Sequence, residues 1–215
     1  MQEGDTDMAN TGRHLMTGLA VTVTLVTAGQ ALAAQDGQAT IVIHVDNYAR
    51  IVRSDRSPAE AEMTRIYARA GVRTIWASGK NHDGAPGLHV RVQLLSRDMA
   101  MQKIRTEGLA DTVFGRSARE AGRAYIFTHR IASLALRHSD DFKRLLGRVM
   151  AHEVGHLVLP IDSHADHGIM QANIGMSEKS DSDFTAEQGV AIRSMLLAAS
   201  RPHADQITDS HVVDR

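Results

Sequence analysis

Two histidines and a glutamate stand at a spacing that can do chemistry. In the stretch "MAHEVGHLVLPIDSHADHGIM", Met150 to Met170, residues His152, Glu153 and His156 form a His-Glu-x-x-His motif. On an α-helix His152 and His156 lie one turn and about 40° apart, so both imidazoles project from one face. Two imidazoles so placed can share a zinc ion at ~2.0–2.1 Å. Glu153 lies about 100° further round the helix, displaced from a ligand position but suited to hold a water beside the metal. Shuffling a chain of this composition yields the motif roughly 0.02 times, so chance explains it poorly. Apolar residues flank it on both sides, which turns the motif toward an interior or a cleft.

A catalytic zinc takes three protein ligands and keeps one position open. Cysteine is absent from the chain, which excludes thiolate ligands and disulfides and leaves His, Asp and Glu. Asp162, His164 and His167 follow the motif closely, and Glu178 and Glu187 lie further on. Spacing alone leaves the choice among them open.

A turn out of the helix, a third His and then a Met shortly after make this stretch resemble the metzincin clan of zinc metallopeptidases. Their usual pattern is H-E-x-x-H-x-x-G-x-x-H with a downstream Met-turn. More narrowly, "HEVGHLVLPIDSHADHGIM" is similar to small bacterial secreted metallopeptidases whose third His is followed by Gly-Ile-Met. The resemblance is specific between Arg148 and Met170. It implies that His152, His156 and His164 bind Zn2+, that Glu153 is the general base and that Met170 packs beneath the metal. It also implies a metzincin-like single α/β domain: a small mixed twisted sheet, an active-site helix carrying the motif and a C-terminal helix. A peptide or protein substrate would extend an edge strand near Thr112 to Gly115. Two departures stand out. Leu159-Pro160 occupies the place of the usual glycine, and the third His comes two residues late, which puts Asp162 where the clan has its ligand. A Glu ligand on the following helix, Glu178 or Glu187, would instead make the protein a gluzincin-type peptidase, and a zinc-binding protein without catalysis is the remaining alternative.

The elements that must position these residues are legible in outline. Ala39 to Tyr48 is a β-branched apolar run and the first strand. A helix opens at Ser57-Pro58 and ends at Gly71. Val72 to Ala77 and Leu88 to Ser96 read as strands, "LADTVFG" as a weak short one and Arg123 to Ala132 as a stronger one. From a cap at Asp140 or Asp141 a helix carries the motif to Pro160, which stops it. A last helix spans Thr185 to about Ala199. His129 and His138 precede the motif helix; surface or core positions suit them better than the cleft.

The totals bound the rest. The 215 residues suit one domain plus processing segments. With 24 Lys+Arg against 25 Asp+Glu, no charge excess points to nucleic acid or a membrane surface. Leu15 to Gln35 holds no charge, follows Arg13-His14 and ends in "QALAAQ". It reads as a signal peptide over residues 1–34, with a retained anchor as the competing reading. The expectation is a secreted or periplasmic protein: a zinc metallopeptidase domain over 35–200 and a disordered tail over 201–215.

Overall fold

A computed structural model describes residues 37–77, 84–138, 141–172 and 183–200. The expected signal peptide, the expected tail and Glu178 lie outside the described residues. Ten elements are present among those described. In chain order they are β1 (Thr40–Asn47), α1 (Arg53–Arg69), β2 (Arg73–Ala77), β3 (Leu88–Leu94), α2 (Arg97–Glu107), β4 (Gly115–Ala118), β5 (Arg123–Ile126), α3 (Thr128–His138), α4 (Phe142–Val158) and α5 (Ala186–Ala199).

The five strands form one mixed sheet in the order β2-β1-β3-β5-β4. β1 pairs parallel with β2 and β3, and β3 parallel with β5. Only the edge strand β4 runs antiparallel, with Gly115 opposite Ile126 and Ser117 opposite Ala124. Alternation then decides the core: Ile41, Ile43, Val90, Val92, Leu94, Ala124 and Ile126 are buried on the face covered by α1 and α4. A smaller cluster of Leu95, Ala100, Ile104 and Phe127 packs α2.

α4 is buried on nearly all sides, which fits its apolar composition. Its close approach to α1 depends on Gly147, where a Cβ would sit 2.5 Å from the Ala59 carbonyl oxygen. The Tyr67 hydroxyl crosses the same contact to donate to the Ala151 carbonyl at 3.2 Å.

Several elements differ from the sequence expectation. α1 starts at Arg53, four residues before the Ser-Pro pair, because the Val52 carbonyl accepts from both Asp55 and Arg56 and builds a turn ahead of Pro58. α2 is an additional helix, capped by Ser96, whose hydroxyl accepts from the Met99 N–H, and by Gly108 at φ 63°. The run Arg123 to Ala132 is not one strand. β5 stops at Ile126, and α3 follows from Thr128. "LADTVFG" is likewise not a strand until its last residue, since β4 begins at Gly115.

Candidate metal centre and cleft

α4 presents His152 and His156 as its helical spacing requires. Their Nε2 atoms face each other at 3.0 Å. After Val158 the helix ends at Leu159 in extended conformation. The reversal that a glycine would normally allow is made three residues later by Asp162, at φ 62°. The chain thereby returns and brings His164 over the helix. Its ring centroid lies 5.5 Å from that of His152 and 4.8 Å from that of His156. One ring nitrogen from each of His152, His156 and His164 falls within 4.8 Å of the others, and this is the sole such group among the described residues.

The donor set fits a zinc ion. His152 Nδ1 donates to the Ile169 carbonyl at 2.8 Å, which fixes the tautomer and leaves Nε2 with a bare lone pair aimed at His156. Burial pushes the His152 pKa down, with the nearby His164 adding to the effect and the Ile169 contact opposing it. Burial also lowers that of His156, to about 3, with the neighbouring His152 and His164 contributing. Both imidazoles are therefore neutral, the form that binds a metal. Two imidazole nitrogens on one tetrahedral ion at ~2.0–2.1 Å stand ~3.4 Å apart, within reach of the spacing found here.

The other expected residues divide. Asp162 lines the cleft but stands outside the histidine group, as does the exposed His167. Glu187 is exposed in the first turn of α5 and is likewise outside it. His129 and His138 lie on α3 and do not line the cleft. Met170 is fully buried below α4, where a Cβ on Gly155 would meet its Sδ at 2.6 Å.

Glu153 is 6% exposed and points to β4. Its Oε2 accepts from the Ser117 hydroxyl at 2.6 Å, and that hydroxyl also stands 2.7 Å from the Glu153 carbonyl oxygen. A Cβ on Gly115 would lie 2.6 Å from Oε1, so the carboxylate occupies the space that glycine leaves empty. Burial raises the Glu153 pKa to about 7, opposed by the Ser117 hydrogen bond and by Arg116. The Arg119 guanidinium, just beyond β4, donates to the carbonyls of His156, Leu157 and Leu159 and so caps the end of α4. None of Gly115, Ser117 and Arg119 belongs to a recognisable motif, and only the pairing of β4 beside α4 brings them to the site.

These groups line a cleft of about 440 Å³ that runs along β4 from Phe114 to Arg119 and over the histidines to Pro160 and Ile161. A buried carboxyl with a raised pKa beside three converging imidazoles is equipped to move a proton next to a metal ion.

No family model and no curated protein matches the chain. Two solved structures resemble it. A zinc-dependent peptidase from Methanocorpusculum labreanum superposes with TM-score 0.48 at 15% identity over 71% of this chain and 99% of that one. A protein from Thermotoga maritima superposes with TM-score 0.34 at 15% identity, over 72% of this chain and 88% of that one. Likeness of this extent assigns no family, and the chemistry rests on the residues themselves.

Proposed function

We propose that the protein is an exported, metzincin-like zinc endopeptidase. The observation that carries this reading is the convergence of His152, His156 and His164 beside the buried carboxyl of Glu153 at the floor of an open cleft. In it, His152, His156 and His164 hold zinc, and the ion supplies Lewis acidity that acidifies water and polarises a carbonyl. Glu153 takes the proton of the attacking water and passes it to the leaving amine, acting first as base and then as acid. Ser117 holds Oε2 and leaves Oε1, over Gly115, to exchange that proton. A peptide adds to the open edge of β4, which places its scissile carbonyl between the histidines and Glu153. Met170 packs under the site as an apolar floor and touches no metal. Export is the reading of residues 1–34 alone.

The position of Glu187 outside the histidine group weighs against a Glu ligand from α5. The test is zinc content and peptide hydrolysis of the purified chain, read on a library of quenched fluorescent peptides. One zinc per chain is expected, lost in His164→Ala and kept in Asp162→Ala. Glu153→Gln is expected to keep zinc and abolish hydrolysis. A parent protein without zinc, or an active Glu153→Gln variant, overturns the reading.

A further inference from the structure

The turn Gly168 to Met170 holds one of the three histidines, His152, and the backbone next to another, His164. The Ile169 carbonyl accepts from His152 Nδ1, and the Met170 carbonyl accepts from the N–H of Ala165, the neighbour of His164, at 3.0 Å. This turn is in its turn held from outside: the Ile169 N–H donates to the Asp183 carbonyl at 2.9 Å. Gly168 allows that approach, since it sits at φ +81° and a Cβ there would lie 2.6 Å from the same Asp183 oxygen. Asp183 is fixed by α1. Its Oδ1 accepts from Arg65 at 2.9 Å and its Oδ2 from Arg69 at 2.6 Å. Arg65 is itself held by a two-pronged contact with Glu62, at 2.8 and 3.0 Å.

We infer that Asp183, clamped by Arg65 and Arg69, is a positioning residue for the metal centre, setting the orientation of His152 and His164 through the backbone of residues 168–170. The inference rests on the zinc reading above and adds to it a control point on α1, remote from the cleft. Its physical basis is the fixed direction of a hydrogen-bonded imidazole. A ligand His whose far nitrogen has a rigid acceptor presents its lone pair at one angle, and outer partners of this kind commonly contribute 10–100-fold to metal affinity. An arginine pair holding both carboxylate oxygens resists rotation of Asp183 better than either contact alone. With the clamp released, the Ile169 carbonyl keeps its chemistry but loses its fixed place.

The test is the zinc dissociation constant of the full chain, measured by competition with a chromophoric chelator. Asp183→Asn is expected to weaken zinc binding about 10-fold. Arg65→Gln with Arg69→Gln is expected to weaken it to a similar degree, and all three changes together no further than Asp183→Asn alone. Arg91→Gln, which removes the ion pair to Asp46 outside this chain of contacts, is expected to change nothing. Thermal unfolding in excess chelator separates positioning from simple stability. A positioning role weakens zinc binding beyond what the metal-free melting shift explains. Should Asp183→Asn fail to fold, the arginine pair, whose side chains are partly exposed, carries the test. Folded variants with the parent's zinc constant overturn the inference while His152→Ala still loses zinc and upholds the metal site. A parent that binds no zinc overturns both.

Discussion

The carboxylate of Glu153 fills the space that a side chain at residue 115 would occupy. A Cβ on Gly115 would stand 2.5 Å from Glu153 Cγ and 2.6 Å from its Oε1. The strand expected to bind substrate and the residue expected to move the proton are thus in direct contact.

Gly115→Ala therefore displaces the carboxylate. A positioned general base contributes typically 10²–10⁴-fold, so hydrolysis is expected to fall by at least ~10²-fold. Zinc content is expected to stay at that of the parent, because the atoms nearest a Cβ at residue 115 all belong to Glu153. Steady-state kinetics together with metal analysis check this, and parallel loss of zinc and activity contradicts it.

Gly155 bears on stability. A methyl group there would meet Met170 Sδ at 2.6 Å and Phe184 Cε1 at 3.2 Å. Overpacking of this kind costs about 1–3 kcal/mol. For a domain of this size the melting temperature of Gly155→Ala is expected to drop by about 2–4 °C per kcal/mol. Met170→Ala removes a fully buried side chain and is expected to cost about 2–5 kcal/mol, mostly as a cavity. Calorimetry of the two variants checks both values.

Arg119 closes the end of α4. Its guanidinium donates to three carbonyls, those of His156, Leu157 and Leu159. Arg119→Ala leaves these acceptors without their donor and is expected to destabilise by about 1–3 kcal/mol. Arg119→Lys keeps the positive charge at the C-terminal end of the helix and is expected to recover part of the loss. Equal destabilisation by Ala and Lys would show that the forked geometry, not the charge, is what matters.

The pH dependence of the metal-free chain has opposing parts. His152 and His156 have pKa values lowered by burial, that of His156 to about 3. Below the unfolded value near ~6.5 the unfolded chain binds more protons at these sites. Their contribution is complete above about that pH and is lost as the pH falls toward the folded values. Glu153, raised to about 7, acts the other way, because between about 4.5 and 7 the folded chain binds the extra proton. Melting temperatures measured from pH 7 to 5 in excess chelator are expected to fall more steeply in Glu153→Gln than in the parent. A parent that falls as steeply as the variant counts against the raised value.

Legibility in the sequence followed the range of the interactions. His152, Glu153 and His156 could be read directly, because a helix repeats every 3.6 residues and the motif lies within one turn. The strands β1 to β3 were legible from their apolar runs and α5 from Thr185 onward, where the structure adds a capping box between Thr185 and Gln188. α3 was hidden by the β-branched and aromatic residues around Ile126 to Ile131, where packing against α4 overrides local preference. α2 carried its signals, Ser96 and Gly108, but only a weak apolar face between them.

Two imidazoles and a carboxylate on one helix, the absence of any thiolate ligand and a short set of candidates for a third donor can be read from the residues alone. Among the described candidates, the tertiary fold brings one to the pair. His164 joins His152 and His156 because Asp162 adopts a left-handed conformation and the Met170 carbonyl holds Ala165, while Asp162 and His167 are left outside the group. It also decided the setting of Glu153, whose partners Gly115 and Ser117 come from β4, and the clamp on Asp183, whose arginines lie more than a hundred residues earlier on α1. The physical reason is the same in each case. Helical periodicity is a local property of the chain, whereas a backbone carbonyl, a missing Cβ or a two-armed ion pair acts only once folding has brought distant segments within ~3 Å of each other.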